Sequence, residues 1–282
     1  MISTSKNTAG PEVATDLLEA AIRRDRLIVM IGLGLVMMLA WGWLIFGTGF
    51  PMGPETVPGM PGMPGMPGMA AMAAPAAWSL PYAGLMAFMW WTMMVAMMLP
   101  GAAPVMLLFA RVNRKERDNS RPYVRTGTFA AGYLAVWGGF GLLATGLQWW
   151  LEQLGLLTSM TAASMRLGGA ILIGAGAWQL TPIKSICLRH CRSPLGFLSH
   201  RWRPGRMGAF RMGLEHGAYC LGCCWFLMGL LFFGGIMNLY WISGLAAFVL
   251  LEKTAPMGSW IGRMAGLALA GWGIYMLIST LG

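Results

Sequence analysis

The chain has 282 residues, of which 57% are hydrophobic and only 11% charged, against roughly 25% charged in ordinary soluble domains. That composition, with a mean hydropathy of +0.61, argues against a soluble globular fold. A net charge of +10 would suit a nucleic-acid partner in a soluble protein, but no nucleic-acid-binding motif accompanies it, so the charge reads as membrane topology.

Residues 27–50 and 127–150 are free of charge and long enough to cross about 30 Å of hydrocarbon, which takes roughly 20 helical residues. The expected fold is all-α, a polytopic membrane helix bundle of about seven transmembrane helices with its N-terminus inside. Lys and Arg gather in the N-terminal arm (Lys6, Arg23, Arg24, Arg26), in 111–125 and in 184–211. The bias of basic residues toward cytoplasmic loops puts these three segments in the cytoplasm. Residues 1–26 read as a polar cytoplasmic arm and 27–50 as the first transmembrane helix. The polar stretch before Leu27 argues against a cleaved signal peptide.

Residues 51–80 form an expected extracytoplasmic loop rich in Met, Pro and Gly, with Pro-Gly-Met repeated from Pro58 to Met69. Pro and Gly at every third position rule out regular helix. Polyproline II, at three residues per turn, would stack Met60, Met63, Met66 and Met69 along one edge. Thioethers are soft ligands that favour Cu(I), so this edge is either an outer lure for metal or a low-complexity linker. The remainder, 81–282, reads as one membrane metal-binding helical domain.

A second helix is predicted over about 81–112, interrupted near its end by Pro100 and Pro104. On it Met86, Met89, Met93 and Met97 fall within a stripe of roughly 80°. Such a stripe is either adaptable packing or a relay of thioether sites. A third helix, 126–150, ends at Trp149-Trp150, an interfacial signal. A short turn (151–160) and a glycine-containing fourth helix (161–180) follow. Thr181 and Pro182 then read as a helix cap and a first-turn proline. They open a short amphipathic helix, 182–192, with Cys187, His190 and Cys191 on one face. Pro194 stops it, and 194–211 is expected as a basic loop. Helices at about 207–237, 240–252 and 258–281 complete the bundle and leave the C-terminus outside.

All five cysteines and all three histidines lie between Cys187 and Cys224. The fifth long helix carries Glu215-His216-x3-Cys220-x2-Cys223-Cys224. At helical spacing His216, Cys220 and Cys223 share one stripe, and Cys224 sits to its side. Together with Cys187, His190 and Cys191 these seven residues are the candidate metal ligands. Glu215 is a candidate to orient His216, to bind metal or to take a proton on release. Glu252 is a supporting candidate expected to pair with Lys253 at its helix end, while Lys184 and Arg211 read as charges reaching to the membrane surface. His200, in the basic loop, is read as a bystander.

Cys and His donors suit Zn(II), Cu(I) or an iron–sulfur centre. The spacing only loosely resembles a closed zinc site. Trp225 stands where haem attachment needs His, and no iron–sulfur spacing is present. The 26 methionines favour copper(I) over zinc, which stays the alternative. No Glu-x-x-His pair or nucleophile–base arrangement points to an enzyme.

Three motifs carry a resemblance. They are Trp91-x2-Met94-x2-Met97-Met98-x-Pro100, Gln179-Leu-Thr-Pro-x-Lys184-x2-Cys187-x2-His190-Cys191-Arg-Ser-Pro194, and Gly213-x2-His216-Gly-x-Tyr-Cys220-x-Gly-Cys223-Cys224-Trp225-x2-Met228. Over about 82–275 the chain resembles domain-of-unknown-function family 2182, described as predicted metal-binding integral membrane proteins. The resemblance implies metal binding in a membrane, without a reaction or substrate. The expected function is soft-metal handling, transfer or delivery through a Cys/His site near the cytoplasmic face of a bacterial-type inner (plasma) membrane. The expected partners are the lipid bilayer and a metallochaperone or partner membrane protein. The alternative is a non-catalytic accessory or assembly subunit that holds a structural metal, zinc or copper, for a membrane complex.

Overall fold

A computed structural model describes residues 11–47, 78–115, 122–158, 161–162 and 164–280. Residues 1–10 of the arm and the proposed outer lure (Met60, Met63, Met66, Met69) lie outside the described residues. In chain order the elements are α1 (Pro11–Gly47), α2 (Leu80–Lys115), α3 (Pro122–Gln153), β1 (Leu157–Thr158), β2 (Thr161–Ala162) and α4 (Met165–Leu180). They continue with α5 (Pro182–Arg192), α6 (Pro194–Arg201), α7 (Gly205–Gly229), α8 (Leu231–Gly234), α9 (Leu239–Thr254) and α10 (Gly258–Ser279). The two short strands pair antiparallel, Leu157 opposite Ala162 and Thr158 opposite Thr161, and make the turn between α3 and α4.

Among the described residues five helices are long and apolar enough to cross a membrane, and six if the pair α4 and α5, bent by 65°, counts as one span. The expected seven is not reached. The predicted sixth span corresponds to α9, whose 16 residues rise only about 24 Å, short of the roughly 30 Å hydrocarbon core. From residue 11 on, the arm and the first helix form one continuous helix, Pro11–Gly47.

The middle of the fold is α2. Of its apolar stretch 67% is buried, against 11% for α1 and 17% for α10. Met86, Met89, Trp90, Met93, Met94, Met97 and Met98 are all at most 2% exposed. Around it the neighbours pair along seams of small residues, where helix backbones approach closely. On the α3–α7 seam, a Cβ on Gly213 would collide with the Phe129 carbonyl, and one on Gly132 with the Phe210 carbonyl. On the α4–α10 seam, Gly169 meets Gly273 and Gly176 meets Gly266.

Local chemistry sets the shorter elements. Thr181 Oγ1 accepts the Lys184 N–H at 3.3 Å, and Pro182 occupies the first helical position of α5. Arg192, at the end of α5, donates to the carbonyls of Ala255 and Pro256, fastening it beneath the α9–α10 turn. Pro194 both ends α5 and opens α6, so the expected basic loop is largely helical. The predicted fifth helix is interrupted at Leu230. There α8 begins, and Gly235, at φ 97°, turns the chain back. Asn238 then caps α9, its Oδ1 accepting from Tyr240 and Trp241 N–H.

Candidate metal centre

α5 packs on α7, and the two helices bring cysteines together across the α6 connection. Cys191, in the last turn of α5, is 8% exposed, while Cys220, Cys223 and Cys224 on α7 are at most 1% exposed. Cys191 and Cys224 each lie close enough to Cys220 and Cys223 to interact with them electrostatically. The Cys223 and Cys224 thiols also lie 3.0 Å from the Cys220 carbonyl oxygen. Four sulfurs from two helices thus form one buried cluster.

Three other elements close the cluster. From α2, Met98 places its thioether 3.7 Å from Cys224 Sγ. From α3, the Tyr133 hydroxyl donates to the Met98 carbonyl at 3.1 Å and lies 3.1 Å from Cys220 Sγ. From α9, Lys253 Nζ donates to Cys220 Sγ at 3.0 Å. His216, one turn before Cys220, is buried among the rings of Phe129, Tyr133 and Phe197. Its Nδ1 is buried with no hydrogen-bond partner.

Among the described residues no group of three or more His, Cys, Asp or Glu side chains is placed so that it could hold a metal ion. The Cys223 and Cys224 thiols instead bond to the Cys220 carbonyl oxygen, and Cys224 also to the Met98 thioether. Thiols and thioethers are soft donors and favour soft monovalent ions over hard ones. The contacts described around these sulfurs include no carboxylate, which is the donor a hard ion needs.

Residues 87–276 match the family model described as PpoB2, copper chaperone. The chain belongs to that family. No curated protein and no solved structure matches it. The copper-chaperone match agrees in extent with the resemblance drawn over 82–275. It includes α3 to α9 and all five cysteines, and it leaves out α1 and the Pro-Gly-Met run.

Within this copper-chaperone region the other candidates are dispersed. Cys187 is half-buried at the margin of the cluster, its sulfur beside Gly222, where a Cβ would come within 2.9 Å. His190 stacks on Tyr219, with ring centroids 4.3 Å apart and planes 5° apart, and its Nδ1 lies 3.0 Å from the Ile186 carbonyl. His200 is exposed, with Nδ1 near the Gly196 carbonyl. Glu215 pairs with Arg203 at 2.7 Å and Arg201 at 3.8 Å, so its carboxylate ties α7 to α6 instead of orienting His216.

Two charge assignments also change. Glu252 pairs with Lys184 of α5 at 2.6 Å, both side chains at most 3% exposed, and not with its neighbour Lys253. Lys184 is therefore a buried ion-pair partner, and it does not reach the membrane surface. The pair borders a polar cavity of about 210 Å³ that also meets Gln179, Ser185, Ser259 and Arg263. An apolar groove of about 670 Å³ between α3, α4 and α7 is lined by Phe140, Leu147, Ile171, Trp225 and similar side chains, without metal-binding donors.

The sequence reading missed Met98, Tyr133 and Lys253 at the cluster. The proposed relay methionines (Met86, Met89, Met93, Met97) are all buried, but Met98 is the one that contacts a thiol. Lys253 did carry a signal, being an ionisable residue at the end of an apolar helix. Tyr133 carried none.

Proposed function

We propose that the chain is a membrane-embedded copper chaperone that binds Cu(I) at the buried sulfur cluster and hands it on. Cys220 and Cys223 are the primary ligands in this reading. Cys191 and Cys224 complete the sulfur shell, and Met98 supplies a thioether neighbour. Cys187, half-buried at the margin, is the thiol through which copper enters or leaves, and His216 offers an unpaired Nδ1 beside Cys220. His190, stacked on Tyr219, is left out of the set.

The observation that supports this reading is the burial of four cysteines from two packed helices, with the Met98 thioether 3.7 Å from Cys224. The composition of the donor set supports copper(I): sulfur donors without a carboxylate favour soft ions. Zinc gains no comparable support. The distance along α2 supports a site near one membrane face. From Leu80 to Met98 a helix rises about 27 Å, close to the thickness of the hydrocarbon core. With the N-terminus and the basic segments in the cytoplasm, the cluster lies toward the cytoplasmic side of a bacterial-type inner membrane. The methionines of α2 then line a route from the opposite face, where the Met60–Met69 run would gather the ion.

The test is the copper content of purified full-length protein, measured by elemental analysis beside a Cys220→Ser, Cys223→Ser variant. Copper in the parent and its loss from the variant support the reading. Equal copper stoichiometry in the two, with cellular copper unchanged, rules it out.

A further inference from the structure

Among the described residues three side chains of unlike charge, Lys184, Glu252 and Lys253, are buried, and their charges do not cancel. Lys184 and Glu252 are each 2% exposed and Lys253 is 8% exposed. Glu252 is already engaged by Lys184 at 2.6 Å. Lys253 instead crosses α2 at Gly101, where a Cβ would come within 3.1 Å of the lysine Cδ, and ends on Cys220 Sγ at 3.0 Å. One ammonium is thus delivered into the interior against sulfur. A buried cation is costly unless an anion faces it, and the group facing Lys253 is a thiol that becomes an anion on binding metal.

We propose that Lys253 is the counter-charge of an anionic copper–bis-thiolate, which makes it a positioning residue for the ion carried at Cys220 and Cys223. This rests on the copper reading above and goes further by naming the charge state of the cargo complex. On loading, two copper–sulfur bonds form, and the protons that the two sulfurs carried leave to water. Copper stays monovalent and no electron moves. The ion with two thiolates has a net charge of −1, which the single excess charge of Lys253 balances. Silver(I), of the same charge and softness, should be held in the same way. The stem of Lys253 fits because position 101 has no side chain, so the lysine and the glycine act together.

The experiment measures Cu(I) affinity of the full chain in detergent, with Cu(I) alone as the probe, by competition against a coloured Cu(I) chelator. Silver(I) is titrated in parallel, and thermal unfolding is followed for each variant. Lys253→Met should weaken Cu(I) and Ag(I) binding at least tenfold, with a melting profile close to the parent's. Lys253→Arg keeps the charge and should recover most of the affinity. Lys253→Gln serves as a second neutral variant if the methionine variant does not fold. A neutral variant that binds within threefold of the parent overturns the proposal, as does an arginine variant that folds yet binds as weakly as the neutral ones. A parent that binds no Cu(I), or a Cys220→Ser, Cys223→Ser variant that binds as the parent does, overturns the copper reading itself.

Discussion

Cys224 and Glu252 both depend on partners that are distant in the chain. By helical angle Cys224 falls to the side of the His216–Cys220–Cys223 stripe. It nevertheless belongs to the cluster, because α2 closes that side and sets Met98 against it at 3.7 Å. Glu252 sits next to Lys253 in sequence, yet adjacent residues on a helix point about 100° apart, and its partner is Lys184 of α5. Replacing Glu252 by Gln therefore strands a buried ammonium. It should cost about 3–5 kcal/mol, read as a lower melting temperature of the detergent-solubilised chain. An unchanged melt would contradict the buried pair. His190→Ala makes the opposite prediction. Its ring lies on Tyr219 and outside the sulfur contacts, so copper stoichiometry should stay at the parent value in an elemental analysis.

At the scale of elements, the α3–α7 seam holds the site together. Gly213 presses on the Phe129 carbonyl. The same seam sets Tyr133 of α3 against Cys220 of α7 at 3.1 Å. Gly213→Ala meets rigid backbone, so the helices must separate, at a cost of about 1–3 kcal/mol, and Cu(I) affinity should fall together with the melting temperature. Gly176→Ala on the α4–α10 seam should lower the melt yet leave Cu(I) affinity nearly intact, because neither of those helices carries a sulfur of the cluster. Competition titration and thermal unfolding of the two variants side by side would check this. Helix ends were legible where a local signal sets them. Thr181 and Pro182 set the start of α5 to the residue, at Pro182. Pro194 misled because one proline both stops a helix and starts the next. Spacing alone put Cys220 and Cys223 on one helix face, whereas on the other face His190 turns to Tyr219. The ion pairs of Lys184 and Glu215, and the approach of Met98 and Tyr133, were not legible, since each depends on how separate helices pack.

For the whole molecule, one end of the bundle gathers the starts of α4 and α9, α8, and the later part of α10. Phe233 of α8 contacts Trp241 and Trp272 and fills the space beside Gly168. α9 descends from that end to the level of Cys220, and α10 returns. The two ends of this hairpin share a face whether or not α9 crosses the whole bilayer. In the proposed orientation, with the N-terminus in the cytoplasm, a reporter fused at the C-terminus should be active on the extracytoplasmic side. A cytoplasmic signal would require another path for α9 and α10. In the proposed function this fold keeps a sulfur site for copper within its helices. X-ray absorption at the copper edge, on the full chain loaded with one equivalent of Cu(I), tests it most directly. The expected first shell is made of sulfur and is lost in the Cys220→Ser, Cys223→Ser variant. A shell of nitrogen and oxygen, or an identical spectrum from that variant, would contradict it.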